Sequence, residues 1–119
     1  MKVLVDTSVW VDHFRRSDSR LQGLLSEGEI FIHPAAIGEL ACGNLTRRDN
    51  VLSDLHRLRS AAIADCEDTM FLIESRKLWG KGIGWTDAQL VASALLSGCE
   101  LWTRDRRLHD IAVALNIAY

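Results

Sequence analysis

The sequence predicts an α/β sandwich with a mainly parallel central sheet flanked by helices, in one domain over residues 1–119. Two observations lead to this. Short apolar runs at residues 2–5, 29–33, 61–64 and 100–103 suit strands, and the stretches between them place apolar residues at helical spacing. Strands alternating with helices pair in parallel through crossovers. The chain has no repeat, low-complexity tract or linker-like stretch, and 119 residues leave room for one domain.

Residues 2–5 form the first strand, and Asp6 stands where it ends. A helix over 7–16 follows, with Val9, Trp10 and Phe14 on or near one face. Residues 19–26 read as a second helix stopped by Gly28. Ile30, Phe31 and Ile32 make the next strand. Pro34, the only proline, suits a first helical position, where its missing N–H costs nothing. That helix runs to Cys42 and closes on Gly43-Asn44 as a left-handed cap. Val51, Leu55 and Leu58 space a helix over 47–59, ahead of a strand at 61–64. Residues 69–79 form a helix before the glycine loop 80–84. Thr86 is the expected N-cap of an apolar helix over 87–96, closed by Gly98. A strand at 100–103, a helix at 105–115 and a short strand at 116–119 complete the chain.

Composition excludes several classes. With 48% hydrophobic and 25% charged residues the chain reads as an ordinary soluble globular protein, and no apolar run nears the roughly 20 residues of a membrane span. An acid at position 6 interrupts any signal-peptide pattern, so a cytoplasmic location is expected. Cys42, Cys66 and Cys99 lack metal or disulfide spacing and read as small buried hydrophobes; the four histidines read as surface or hydrogen-bonded groups. A net charge of −2 exerts no general pull on nucleic acid, so any attraction must be local.

The informative pattern is the placing of four acids. Asp6 ends the first strand, Asp105 follows the strand at 100–103, Asp87 lies in the first turn after the glycine loop, and Glu39 lies within the helix after the second strand. Parallel neighbouring strands bring at least Asp6 and Asp105 to one sheet edge. Crowded carboxylates repel one another, and a divalent cation relieves that repulsion. With only oxygen donors, Mg²⁺ or Mn²⁺ is favoured over zinc. Each acid also has an ordinary explanation: Asp6 as a helix cap, Asp87 and Asp105 in first helical turns, Glu39 as an exposed helical acid. Asp12, Asp18, Asp49, Asp54 and Asp110 are assigned to solvated faces.

Four motifs in order resemble a known family across the whole chain. Val5-Asp6-Thr7-Ser8-Val9-Trp10 resembles the opening motif of PIN domains, and Ile37-Gly38-Glu39-Leu40 with Gly43 resembles their second acidic motif. Gly82-Ile83-Gly84-Trp85-Thr86-Asp87 with Leu90, Ala92 and Ser93 is similar to the third, in the form common among VapC toxins. Leu101-Trp102-Thr103-Arg104-Asp105 with Leu108 resembles the last. The resemblance implies a PIN-like three-layer sandwich and an Mg²⁺- or Mn²⁺-dependent endoribonuclease leaving a 5′-phosphate and a 3′-hydroxyl. It implies Asp6 and Asp87 as main metal ligands, Asp105 completing the cluster, and Glu39 binding a second metal or orienting water. Ser8 and Thr103 match supporting polar positions. It further implies a homodimer and a VapB-like antitoxin lying in an apolar groove, for which Trp10 and Phe14 are candidates against the plainer reading that they are core.

Beside that acidic site, Arg104 and Arg107 are candidate contacts to RNA phosphates; tRNA is the substrate guess for this form of the third motif. Two other readings stand. A phosphatase using Asp6 as nucleophile commonly needs a second acid two residues on, where this chain has Ser8. A catalytically silent PIN-fold module binding RNA or protein would not need the four intact acids.

Overall fold

Four strands, β1 (Val3–Val5), β2 (Ile30–Ile32), β3 (Arg59–Ser60) and β4 (Glu100–Trp102), form one sheet in the computed structural model, which describes residues 1–119. They lie in the order β3-β2-β1-β4, every neighbour parallel. Helices α1 (Thr7–Arg15) and α2 (Ser19–Ser26) connect β1 to β2, and α3 (Pro34–Ala41) and α4 (Arg48–His56) connect β2 to β3. Helices α5 (Cys66–Arg76) and α6 (Trp85–Ser97) lead to β4, and α7 (Arg106–Ala114) follows it.

The two-residue period of a strand sorts its side chains onto two cores. Val3, Val5, Ile30, Ile32 and Trp102 pack with residues of α1 to α4, including Val9, Trp10, Leu21, Ile37 and Leu55. Leu4 and Leu101 point the other way, onto Leu72, Leu90, Val91, Leu108 and Ile111 of α5 to α7. Burial on both faces explains why β1, β2 and β4 read as unbroken apolar runs, unlike the exposed edge strand β3. The result is the expected three-layer α/β sandwich.

The strand order reverses at β1. Successive crossovers from β1 to β3 pass over one face, whereas the return to β4 passes over the other. Adjacent strands β1 and β4 therefore send α1 and α7 to opposite faces, which opens a crevice at their carboxyl ends.

Local hydrogen bonds correct several expected boundaries. The edge strand is Arg59–Ser60, paired with Phe31 and Ile32, rather than 61–64. Beyond it, Ala62 N–H donates to Ser97 Oγ (2.7 Å) and Ala64 N–H to Ser93 Oγ (3.2 Å), so side chains of α6 replace the ladder. Helix α4 accordingly stops at His56. Helix α5 begins three residues before the expected position 69, because Asp65 caps it by accepting the Asp68 N–H (2.8 Å). Gly84, not Thr86, is the N-cap of α6, leaving Asp87 at the third position to accept the Gly84 N–H. Gly43 takes no left-handed conformation; α3 ends through Cys42 in right-handed backbone, and Arg47 is the left-handed residue before α4. The strand expected at 116–119 is a single bridge, Leu101 to Ala118.

Side-chain burial adds further corrections. Cys42 and Cys66 sit at helix ends and are exposed, so only Cys99 is a buried hydrophobe. Trp10 is core at 2% exposure, while Phe14, one turn on, is 38% exposed. Leu4 is wholly enclosed at the centre of the sheet. Leu4→Ala is expected to lower unfolding free energy by about 2–5 kcal/mol in urea denaturation, the range for such cavities.

Candidate functional site: four carboxylates at the switch point

The β1–β4 register, with Val5 opposite Trp102, places Asp6 beside Thr103 at the carboxyl edge. Asp6 N–H donates to Trp102 C=O (2.9 Å), extending the ladder one residue past β1. The Asp6 carboxylate is buried at 6% exposure. Its Oδ2 accepts from Ser8 Oγ (2.7 Å), Thr103 Oγ1 (2.8 Å) and, more weakly, the Ser8 N–H (3.4 Å) at the start of α1.

Proton counting defines this network. Each hydroxyl has one proton, and both protons point at Asp6, so the 3.3 Å approach of Ser8 Oγ to Thr103 Oγ1 has none to share. The hydroxyls in turn accept backbone N–H groups, Ser8 from Arg104 (3.0 Å) and Thr103 from Asp105 (3.0 Å). The loop after β4 is thereby tied to Asp6 through two side chains.

The other acids follow one pattern, in which the protein engages one oxygen. Asp105 caps α7, its Oδ1 accepting from the N–H groups of Arg107 (2.9 Å) and Leu108 (3.1 Å). Asp87 Oδ2 accepts the Gly84 N–H (3.2 Å). Glu39, exposed on α3, accepts from Thr7 Oγ1 (2.9 Å) at Oε1. Asp6 Oδ1, Asp87 Oδ1, Asp105 Oδ2 and Glu39 Oε2 accept no hydrogen bond from the protein. No lysine, arginine or histidine forms an ion pair with any of the four acids.

Asp87 lies within electrostatic reach of the other three. Burial pushes the Asp87 carboxyl above its usual range, the Gly84 N–H opposes this, and the charges of Asp6, Asp105 and Glu39 raise it further. No three acids, histidines or cysteines stand close enough together to grip an ion as placed. The acids thus lie at electrostatic rather than coordination range. The all-oxygen donor set fits Mg²⁺ or Mn²⁺, since Mg²⁺ takes one or two carboxylates and keeps several waters.

Of the acids expected on solvated faces, Asp12 is exposed and Asp18 half-buried, and both pair with Arg104. Arg104 pairs with Asp12 (3.0 Å) and Asp18, and its guanidinium lies over Trp102 (5.9 Å). The Leu21 N–H and then Arg104 hold the Asp18 carboxyl below its usual range, against the opposing effect of burial. Arg104 is thus neutralised, whereas Arg107 forms no ion pair.

Sequence reasoning missed two residues. Thr7 holds Glu39 across 32 positions, which only the packing of α1 on α3 reveals. His33 follows β2 as Asp6 follows β1. It is buried at 3% exposure, and its Nδ1 caps α3 by accepting the Ala35 N–H (3.0 Å). Its Nε2 has no partner, so the expectation that each histidine is at the surface or satisfied fails here. Burial lowers its pKa and favours the neutral ring that this cap requires. A polar residue closing an apolar strand just before Pro34 was the available signal.

A family model described as PIN domain matches residues 3–114. The chain is 46% identical over 117 residues to Ribonuclease VapC32 of Mycobacterium tuberculosis, in strains CDC 1551 / Oshkosh and H37Rv, covering 98% of this chain and 94% of the relative. The crystal structure of PAE2754 from Pyrobaculum aerophilum aligns with a TM-score of 0.61 at 17% identity, covering 98% of this chain and 90% of that one. This last likeness concerns the fold alone.

The raised Asp87 pKa has a signed consequence for stability. An acid with a raised folded pKa binds its proton more tightly folded than unfolded. The contribution from protonated Asp87 is therefore present at low pH and lost as pH rises from the ordinary carboxyl value through the raised one. Asp87→Asn keeps an acceptor for Gly84 N–H without the charge. In metal-free buffer, urea midpoints from about pH 4 to about pH 7 are expected to show the variant gaining on the parent as pH rises. A pH-independent difference would contradict this.

Proposed function

The chain belongs to the PIN-domain family, and from that premise we propose that it is a VapC-type toxin, a metal-dependent endoribonuclease that cuts RNA at its four carboxylates. One observation carries the reading. Four acids without a basic partner stand around the topological switch point, each with one oxygen held by the protein and the other unengaged; burial first, and then the charges of the other three, push the Asp87 carboxyl upward. Uncompensated like charge of this kind is what a hard divalent cation relieves.

Asp6 and Asp87 are the main ligands in this proposal, Asp105 completes the set, and Glu39 holds a second ion or orients water. Mg²⁺ or Mn²⁺ bound there supplies Lewis-acid polarisation of the scissile phosphate and a lowered pKa for attacking water. The chain's own part is orientation. Ser8 and Thr103 aim Asp6 by occupying Oδ2, the Gly84 N–H aims Asp87, the first turn of α7 aims Asp105, and Thr7 aims Glu39. The products are a 5′-phosphate and a 3′-hydroxyl, and tRNA is the proposed substrate. The phosphatase reading has less support, since the position two residues after Asp6 holds Ser8, whose proton is committed to Asp6.

The proposal extends to partners. A VapB-like antitoxin would lie along the groove where exposed Phe14 meets Arg15, Glu39 and Leu45. Its place beside Glu39 supports inhibition by occlusion. A homodimer acting in the cytoplasm completes the reading, and no helix is long and apolar enough to cross a membrane.

Purified antitoxin-free protein is expected to cut tRNA into discrete fragments with Mg²⁺ or Mn²⁺ and not with EDTA. Asp6→Asn should lower the rate at least about 100-fold, and Thr103→Val, which removes one of the two hydroxyls held on Asp6 Oδ2, about 10–100-fold, as for other residues that orient metal ligands. A folded, metal-loaded protein that cuts neither tRNA nor ribosomal RNA would overturn the ribonuclease reading.

A further inference from the structure

A concavity of about 480 Å³ lies in the α5–α7 layer, between α7, the end of α5 and the glycine loop. That size suits a small-ligand cleft. Its floor is apolar, with Leu78 and Ile111 buried beside Ala114 and Leu115. Arg76, Lys81 and Arg107 stand on the rim with a single acid, Asp110. None of these three cations forms an ion pair. Arg48, Arg57 and Arg104 lie beside acids, and the other basic side chains are unpaired; what distinguishes Arg76, Lys81 and Arg107 is that they share one rim. On a chain of net charge −2, this leaves a local excess of positive charge over an apolar floor.

The cleft is built against the acidic site. Arg107 lies across Gly82, where an added Cβ would crowd the arginine Cδ and stand 2.7 Å from its Nη1. Gly82 has φ +81°, a conformation that suits glycine, so loop and arginine fit as a pair. The Arg107 N–H also holds Asp105, and Gly84, two residues beyond Gly82, holds Asp87. The cleft therefore starts where two of the four acids are anchored. It continues along the face of α7 that carries Asp110, Ile111 and Ala114.

Resting on the ribonuclease reading above, we propose that this cleft holds the RNA strand adjoining the cut, with phosphates on Arg76, Lys81 and Arg107 and a base against the apolar floor. Unpaired cations beside an apolar surface match a single strand, whose phosphates need charge and whose bases tolerate any flat apolar contact. Arg76 and Lys81 are exposed, and removing their side chains leaves the core intact.

The test measures binding without cleavage. In an Asp6→Asn background, fluorescence anisotropy follows a labelled single-stranded RNA oligonucleotide across a salt series. Arg76→Ala with Lys81→Ala is expected to raise Kd about ten-fold and to flatten the salt dependence of log K by about 1.4, the counterions of two phosphates on a single strand. A control that removes the same formal charge, Arg57→Ala at the end of α4 with Arg59→Ala on β3, should change neither, and circular dichroism should be the same for all. An unchanged slope in the cleft variant, or an equal loss in the control, overturns the cleft while leaving the ribonuclease intact. Failure of the Asp6→Asn protein to bind any RNA overturns the ribonuclease reading and the cleft with it.

Discussion

The parallel pairing of β1 with β4 is the constraint on which the site depends. Val5 against Trp102 sets Asp6 opposite Thr103, and the Asp6 N–H continues the ladder to the Trp102 carbonyl. A shift of one residue would turn Leu4 out of one core and Val3 and Val5 out of the other, so the apolar pattern itself enforces the register. The position of a functional carboxylate is thus held by hydrophobic burial several residues away.

Once the acids converge, their oxygens are divided between two uses. One of each pair satisfies local donors: a hydroxyl pair at Asp6, helix N-termini at Asp87 and Asp105, a threonine at Glu39. These bonds cap α6 and α7 as well as aiming the carboxylates, so the same residues serve the fold and the site. The acids stand near one another without a basic partner, and Asp87, half-buried, has its carboxyl pushed upward by burial and then by the charges of the other three. Arg104 could have relieved that repulsion, but Asp12 and Asp18 hold its guanidinium and Trp102 underlies it. Its neighbour Arg107 is turned instead onto the glycine loop. Two cations beside Asp105 thereby acquire different electrostatic characters.

Strands β1, β2 and β4 were legible because they are buried and read as continuous apolar runs, and the helices because their caps are local. Asp6 and Pro34 mark helix starts within one turn, whereas Asp18, assigned to a solvated face, proved to be the cap of α2. Errors came where a distant group replaced the local signal. Residues 61–64 have the composition of a strand, yet Ser93 and Ser97 take their N–H groups and the ladder lies two residues earlier. Thr86 has the chemistry of an N-cap, yet Asp87 reaches back to Gly84 and moves the start of α6 by two residues.

By itself the sequence determined the α/β class, the parallel sheet, and the placing of four acids at strand ends or in following helices. Periodicity and capping are short-range properties, so a linear reading suffices for them. Only the tertiary structure decided which oxygen each acid leaves unengaged, that Thr7 supports Glu39, that His33 is sealed with one nitrogen unpartnered, and that Trp10 is core while Phe14 is not. It also decided that Arg104 is neutralised and Arg107 is not. The deciding contacts join residues from 32 to 97 positions apart. Chain folding sets such distances, and no window of neighbouring residues contains them.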